Sequence, residues 1–219
     1  MAAALRGPAI EPAAGGPARR LVVLLHGYGA DGNDLIALGR EWAHVLPDAA
    51  FVAPNAPEPC ADAGFGYQWF RLTFRDPHEY ARGVRQAGPL LDAYLDAELR
   101  RRGLGDSALA LVGFSQGTML ALHVAPRRKA APACVVGFSG HLADAPELKA
   151  EARVRPPVLL VHGDRDDVIP VQALPLAVQG LAAAEIPVEW HLLEGLGHGI
   201  DPRGLALAGN FLRRALVDG

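Results

Sequence analysis

Short runs of apolar, strand-forming residues recur along the chain and predict a buried sheet. The runs cover residues 21–25, 51–53, 108–112, 133–138, 158–162 and 188–193. Parallel strands that are covered on both faces read as nearly continuous apolar runs rather than as an alternating pattern. Because residues 21–25 include no polar side chain, we expect this strand in the middle of the sheet.

Helical patterns fill the intervals between these runs. We expect helices over about 33–44, 79–102, 118–125, 171–184 and 203–217, with Asn33 or Asp34 as the first cap and a kink at Gly88-Pro89. Strands that alternate with helices predict an α/β fold with a mostly parallel central sheet and helices on both faces. Reactive groups then collect at the C-terminal ends of the strands.

The chain length sets the domain organisation. Residues 1–20 are rich in Ala, Pro and Gly and predict an N-terminal extension or an edge strand. Residues 21–219 are expected to form a single α/β domain, because no change in composition marks a second one. Little of the chain is left over for a large cap domain.

The composition points to a small molecule as the partner. A formal net charge of -3, with 50% hydrophobic and 21% charged residues, indicates no nucleic-acid binding. Arg6, Pro8 and Glu11 interrupt any early apolar stretch, so we expect no signal peptide, no stable membrane insertion and a cytoplasmic protein. Cys60 and Cys134 lie outside any C-x-x-C pair and are expected to stay reduced. A homodimer is compatible with this composition.

The sequence GFSQG, residues 113–117, joins a strand run to a helix run. A serine at such a sharp turn is lifted clear of the sheet, and glycines two before and two after it let strand and helix pass closely. We interpret the segment as a nucleophile elbow around Ser115, against the alternative of a chance G-x-S-x-G in a Gly-rich chain. Of the other serines, Ser107 and Ser139, the second is interpreted as a strand-end turn residue.

A serine hydroxyl is a weak nucleophile near neutral pH and needs a base, which in turn needs an anion. Three aspartates, Asp164, Asp166 and Asp167, follow the strand run 158–162. We favour Asp166, because the other two can bond local backbone N–H groups in the turn.

His198 is the favoured base, since it lies in a glycine-flanked loop directly after the run 188–193. His26 and His162 also lie at strand ends, where a histidine more simply anchors a loop by hydrogen bonds. The chain order of serine, aspartate and histidine is that of the α/β-hydrolase fold, not that of chymotrypsin or subtilisin.

The loop of residues 26–34 is polar and rich in glycine. It lacks both G-x-x-x-x-G-K-[ST] and G-x-G-x-x-G, so a nucleotide site is disfavoured. We expect it to direct the backbone N–H of Tyr28 toward the elbow, where it would be an oxyanion donor.

A long segment, 54–74, is expected to be irregular because of its prolines and glycines, and it concentrates aromatic residues: Phe65, Tyr67, Trp69, Phe70 and Phe74. The segment is interpreted either as a loop held by its own hydrophobic cluster or as a wall of the substrate site.

Five motifs together resemble the phospholipase/carboxylesterase family of α/β-hydrolases, which includes acyl-protein thioesterases. They are HGYGADGNDL, GYQWF, GFSQG, HGDRDDVIP and GLGHG, spread over residues 26–199. The resemblance implies Ser115 as nucleophile, Asp166 as acid and His198 as base. It also implies the backbone N–H groups of Tyr28 and Gln116 as the oxyanion hole.

We therefore expect a serine hydrolase without cofactor or metal, acting on short to medium acyl esters and also on thioesters or lysophospholipids. Trp69, Phe70 and Met119 are predicted to contact the acyl chain in a shallow, open groove. One alternative is a non-catalytic α/β-hydrolase fold that binds a small ligand. The other, a metal-dependent hydrolase, is weaker because the histidines are scattered and H-E-x-x-H is absent.

Overall fold

A seven-stranded sheet forms the centre of the computed structural model, which describes residues 5–60, 64–73, 76 and 78–218. Its strands are β1 Ala9–Ile10, β2 Arg20–Leu25, β3 Ala49–Val52, β6 Leu109–Phe114, β7 Cys134–Phe138, β8 Val158–Gly163 and β9 Val188–Leu193. Their order across the sheet is β1-β3-β2-β6-β7-β8-β9. Within this sheet only β1 runs antiparallel to its neighbour; the other adjacent strands are parallel.

In the described part of the chain, six α-helices cover the two faces of this sheet. They are α1 Gly32–Trp42, α2 Glu79–Arg102, α3 Gln116–Val124, α4 Ala145–Glu151, α5 Ala173–Ala183 and α6 Pro202–Leu216. One apolar cluster joins the sheet to α2, α3, α4 and α5, and the second joins its other face to α1 and α6. The expected α/β-hydrolase architecture, with a mostly parallel sheet and helices on both faces, is confirmed. No inserted cap domain occurs among the described residues.

The apolar run of residues 21–25 lies inside the sheet, as predicted. All five side chains have an exposed fraction of 0%, and β2 is flanked by β3 and β6. Alternate side chains enter opposite clusters: Leu21 packs toward α2, whereas Val22 packs toward α1. Burial on both faces is the physical reason why this strand needs no polar alternation.

Two local predictions differ from the structure. The cap of α1 is Asp31 and not Asn33 or Asp34: the Asp31 side chain accepts from the N–H groups of both, and the Asp34 side chain accepts from the Asp31 N–H. Such reciprocal bonds form a capping box. The segment expected to be irregular contains two short paired strands, β4 Glu58–Pro59 and β5 Tyr67–Gln68. Helix α4, between β7 and β8, was not among the predicted helices. Phe74 lies outside the described residues.

Both cysteines are free and buried in the structure. Burial raises the pKa of the Cys134 thiol to about 12, so this group is a poor nucleophile. No helix in the described part of the chain is long and apolar enough to cross a membrane.

Candidate active site

Ser115 lies at the turn between β6 and α3 in a left-handed backbone conformation, with φ 53° and ψ -115°. Few residues other than glycine adopt this region. Two backbone hydrogen bonds hold the turn: the Ser115 N–H donates to the Phe138 carbonyl at 2.9 Å, and the Ser115 carbonyl accepts from Met119 at 3.2 Å. The geometry is that of a nucleophile elbow at the C-terminal edge of the sheet.

The two glycines of the elbow have no space for a side chain. A Cβ at Gly117 would collide with the backbone carbonyl oxygen of Leu25, and one at Gly113 would collide with the backbone nitrogen of Thr118. The close crossing of strand and helix therefore requires glycine at both positions, for the reason expected from the sequence.

Asp166 and His198 come together from two different loops. The Nδ1 atom of His198 lies 2.8 Å from Oδ2 and 3.0 Å from Oδ1 of Asp166. The carboxylate also accepts hydrogen bonds from the backbone N–H groups of Val168, at 3.0 Å, and Ile169, at 2.8 Å. Since a carboxylate accepts from Nδ1–H, this pair leaves the Nε2 atom of His198 as the proton acceptor.

Asp166 remains an anion at this site although it is buried. Burial disfavours the charged form, but the hydrogen bonds from His198, Ile169 and Val168 outweigh it and lower the pKa of Asp166. The two neighbouring aspartates lie in different surroundings. Asp164 accepts a hydrogen bond from Gly195 N–H at 2.7 Å and so joins the two loops, and Asp167 is exposed.

Two buried histidines act as loop anchors, as the sequence predicted. The Nε2 atom of His26 accepts from the Ala56 N–H at 2.9 Å, and burial lowers the pKa of His26. His162 places its Nε2 atom 2.9 Å from the Ile169 carbonyl and 3.4 Å from Oδ2 of Asp166. This histidine therefore holds the loop that carries Asp166.

The His198 ring packs beside the elbow. Its centroid is 4.8 Å from that of Phe114, the residue before Ser115. Among the described residues, the side-chain hydrogen bonds of His198 are those of Nδ1 with Asp166, and none joins it to the Ser115 hydroxyl. Catalytic hydrogen bonds are often loose without substrate, so this geometry is compatible with a serine-histidine pair.

The loop after β2 lies directly against the elbow. A Cβ on Gly27 would be 3.3 Å from the Cβ of Ser115, so the backbone that leads to Tyr28 passes close to the hydroxyl. On the other side, Gln116 is the first residue of α3, where a backbone N–H has no partner within the helix. Both segments expected to form the oxyanion hole thus border Ser115.

The Gln116 side chain is a functional feature that sequence reasoning missed. Its amide oxygen accepts from the Trp69 N–H and its amide nitrogen donates to the Phe70 carbonyl, both at 2.8 Å. The Trp69 indole N–H donates to the His26 carbonyl at 2.9 Å. In the sequence, the only signal for this connection is the polar residue directly after the nucleophile in GFSQG. In the structure this residue, Gln116, is buried.

Trp69, Phe70 and Met119 are deeply buried, with exposed fractions of 3%, 2% and 1%. They pack in the cluster beneath α2 and α3. The cavities found beside the site in the described part of the chain are lined by other residues.

Two cavities flank the site. The larger, about 730 Å³, is a mainly apolar groove between α5 and the loops after β7 and β8; its lining includes His141, Leu142, Val168, Ile169, Ala173 and Ala177. The smaller, about 310 Å³, lies on the α1 side and is lined by residues that include Gly27, Asp34, Phe114 and Ile200. No group of three or more His, Cys, Asp or Glu side chains is arranged to hold a metal ion within the described ranges.

Comparison with known proteins gives a consistent result. A model of the family described as Phospholipase/Carboxylesterase matches residues 6–216. The chain is 31% identical over 198 residues to Esterase YpfH of Escherichia coli (strain K12), covering 90% of this chain and 83% of that protein. It is 26% identical over 209 residues to Acyl-protein thioesterase 1 homolog 1 of Dictyostelium discoideum, covering 89% and 90%.

A solved structure is also similar over nearly the full length. Esterase PE8 aligns with a TM-score of 0.94 and 44% sequence identity, covering 98% of this chain and 100% of that one.

Proposed function

Because the chain belongs to the phospholipase/carboxylesterase family and is a serine hydrolase that acts on small-molecule esters, we propose that Ser115, His198 and Asp166 form its catalytic triad. The observation that carries this proposal is the 2.8 Å contact of His198 with a buried carboxylate, beside a strained serine. Asp166 fixes the imidazole with Nδ1 protonated, which leaves Nε2 to receive the serine proton.

The proposed reaction proceeds through an acyl-enzyme. The Ser115 oxygen attacks the ester carbonyl carbon while His198 takes its proton, and the tetrahedral oxyanion is stabilised by the N–H groups of Tyr28 and Gln116. His198 then gives the proton to the departing alcohol or thiol as that bond breaks. A water molecule, deprotonated by the same ring, hydrolyses the acyl-serine and restores the enzyme.

We propose short to medium acyl esters as substrates, with thioesters and lysophospholipids as further candidates. The 730 Å³ groove begins at Val168 and Ile169, next to Asp166, and is mainly apolar, which suits a hydrocarbon chain. Since Trp69, Phe70 and Met119 are buried, we assign them to the packing that supports the site, and we assign acyl contact to the groove.

The decisive experiment is Ser115→Ala, assayed on p-nitrophenyl acetate, butyrate, octanoate and palmitate, an acyl thioester and a lysophospholipid. We expect kcat/KM to fall by a factor of roughly 10⁴ or more on every substrate, with unchanged thermal unfolding. Ser107→Ala is the matched control, because Ser107 is exposed and precedes β6, whereas the elbow follows the other end of that strand.

Two further measurements sharpen the result. A fluorophosphonate probe should label the wild-type chain at Ser115 and leave Ser115→Ala unlabelled. A chelator should leave turnover unchanged; a loss of turnover that added metal restores would favour a metal-dependent hydrolase. Retention of turnover by Ser115→Ala would contradict the triad.

The cytoplasmic location of the protein stays a prediction, which cell fractionation would test.

A further inference from the structure

The last strand, β9, forms an open edge of the central sheet, three strands away from the strand that precedes Ser115. On the side that faces β8, the carbonyl oxygens of Pro187 and Leu193 accept hydrogen bonds from the N–H groups of Val158 and Asp164. Successive residues of a strand alternate in direction, so the N–H and C=O groups of Val188, Trp190 and Leu192 point away from β8. The β8–β9 register, together with the acceptor roles of Pro187 and Leu193, thus places these three residues at the outward-facing positions of β9.

The same edge exposes large apolar side chains. Trp190 is 53% exposed and Leu192 is 46% exposed, and both line a groove of about 440 Å³ between β9 and α5. No charged residue lines this edge groove. From α5, the apolar side chains of Leu174, Pro175 and Val178 complete the lining of this groove. Edge strands of monomers are commonly protected by lysine, proline or a bulge, and residues 188–192 contain neither lysine nor proline.

We propose that β9 pairs with the β9 strand of a second copy of this chain, antiparallel and across a twofold axis at Trp190. The strand sequence is self-complementary in that register: Val188 lies opposite the partner's Leu192, and Glu189 lies opposite the partner's His191. The outward backbone groups of Val188, Trp190 and Leu192 then bond to those of the second copy.

Charge complementarity favours this occupant. Residues 189 and 191 form the non-hydrogen-bonded pairs of the proposed ladder, where facing side chains approach most closely. In this arrangement the Glu189 carboxylate of each copy faces the His191 imidazole of the other copy, and no two like charges face each other. Within one chain Glu189 already contacts His191 at 3.1 Å and Arg214 at 2.6 Å, so its carboxylate is oriented on this face.

The edge groove supplies the remaining area. A strand pair of five residues is smaller than a stable interface, which needs about 800 Å² from each partner. Continuing the sheet through the axis brings the α5 helices of the two copies side by side, and this covers Trp190, Leu192 and the groove that they line. A single contact thus buries the apolar surface and supplies hydrogen-bond partners for the open strand edge.

Sedimentation equilibrium of the full chain over a concentration series tests the proposal. We expect a dimer of twice the 23.1 kDa chain mass. Trp190→Asp should raise the dimer dissociation constant by at least about 100-fold, because it places two carboxylates together at the centre of the interface. Val217→Asp is the control, since Val217 is a half-exposed apolar residue at the end of α6; it should leave the constant unchanged.

A charge exchange tests the register. Glu189→His places two histidines opposite each other and His191→Glu places two glutamates opposite each other, so each should weaken the dimer by roughly tenfold. The double variant recreates the acid-histidine pairs and should recover the wild-type constant. Ester hydrolysis by each variant checks that it is folded. A single-chain mass at all concentrations, a dimer insensitive to Trp190→Asp, or a double variant no tighter than the singles would overturn the proposal.

Discussion

At the scale of single residues, Ser115 is the most constrained position in the site. A non-glycine residue in such a backbone conformation costs on the order of 1–3 kcal/mol, which the surrounding structure must offset. The bonds to Phe138 and Met119 and the absence of side chains at Gly113 and Gly117 provide that support. Space around the nucleophile is therefore as important as its chemistry.

Gly117→Ala should destabilise the fold. The new Cβ would collide with the Leu25 carbonyl oxygen in the centre of the sheet, where the backbone cannot move away easily. We expect a loss of roughly 1–3 kcal/mol in the free energy of unfolding, measured by urea denaturation. Gly105→Ala is the matched control, because a Cβ there meets no atom within 4 Å and φ is -101°. Equal stability of the two variants would contradict the steric account of the elbow.

Asp166→Asn should lower kcat by a factor of roughly 10⁴ on ester substrates, because an amide cannot hold His198 in the required tautomer. Since hydrogen bonds keep the pKa of Asp166 below its usual value, the wild-type carboxylate should remain charged throughout the neutral range. We therefore expect no inflection from this acid in a pH-activity profile between about pH 5 and 9.

Asp167→Asn supplies the comparison for this prediction. Asp167 is exposed and adjacent in sequence, and we expect wild-type kcat from this variant. If the two substitutions lowered kcat equally, the acid of the triad would have to be reassigned.

The residue scale also shows where sequence reasoning fails. Asn33 and Asp34 were the predicted caps of α1 because both types cap helices, yet Asp31 has the extended backbone that a cap requires, with φ -142°. Side-chain type alone does not reveal which of several adjacent polar residues adopts that conformation. Asp34 contributes as the other half of the capping box.

At the scale of elements, the long apolar strands and amphipathic helices were predictable to within about three residues. Burial on both faces imposes continuous apolar sequences on β2, β6, β7 and β8, and those runs are visible directly. The short elements were not predictable. Strands β4 and β5 have two residues each and depend on distant pairing, with one another and, for Tyr67, with Ala30. Helix α4 has seven residues around a single buried side chain, Leu148.

The elements α2, α3 and α4 are also joined by a buried ionic cluster. Asp144 is buried before α4 and contacts both the Nδ1 atom of His123 and Arg127 at 2.7 Å. Arg85, from α2, lies 3.9 Å from the same carboxylate oxygen and also binds Glu151. A cluster of this kind connects three helices at one face of the sheet.

The cluster predicts how stability depends on pH. Burial disfavours the charged carboxyl, but His123, Arg127 and Arg85 outweigh it and lower the pKa of Asp144 below its unfolded value. Its contribution is therefore complete above the unfolded pKa, near 3.9, and is lost as pH falls through the lower folded value. Asp144→Asn should reduce the free energy of unfolding at pH 7 by roughly 3 kcal/mol and flatten its decline in acid.

Urea denaturation from neutral to acid pH measures this effect. Asp218→Asn removes an exposed ion pair with Arg213 and should change stability by less than about 1 kcal/mol. If the free energy of unfolding fell with pH equally steeply in wild type and in Asp144→Asn, Asp144 would not be the source of the pH dependence.

At the scale of the whole molecule, the parallel sheet explains why three distant segments meet. The strands β6 and β8 end at the same edge, as does β9, so the loops that carry Ser115, Asp166 and His198 are neighbours. The sequence predicted this edge because β6, β7, β8 and β9 are all parallel, so their C-terminal ends meet at one edge whatever their order. It did not predict the groove along α5, since a cavity depends on how helices and loops fit together and not on one run of residues.

The fate of the aromatic loop shows the same limit. Aromatic composition was compatible with either a hydrophobic cluster or a substrate wall, and the burial of Trp69 and Phe70 favours the cluster. Phe65, by contrast, is 75% exposed. Only the folded arrangement distinguishes the two kinds of aromatic residue in one segment.

The double hydrogen bond of the Gln116 side chain to Trp69 and Phe70 ties the geometry of the neighbouring loop to the residue that follows the nucleophile. A displacement of that loop at its base would disturb the peptide next to Ser115. The Phe65 side chain in the same loop is 75% exposed and is not part of the buried cluster. Substitution of Phe65 can therefore change the surface of the loop while the Gln116 contacts keep the peptide next to Ser115 in place.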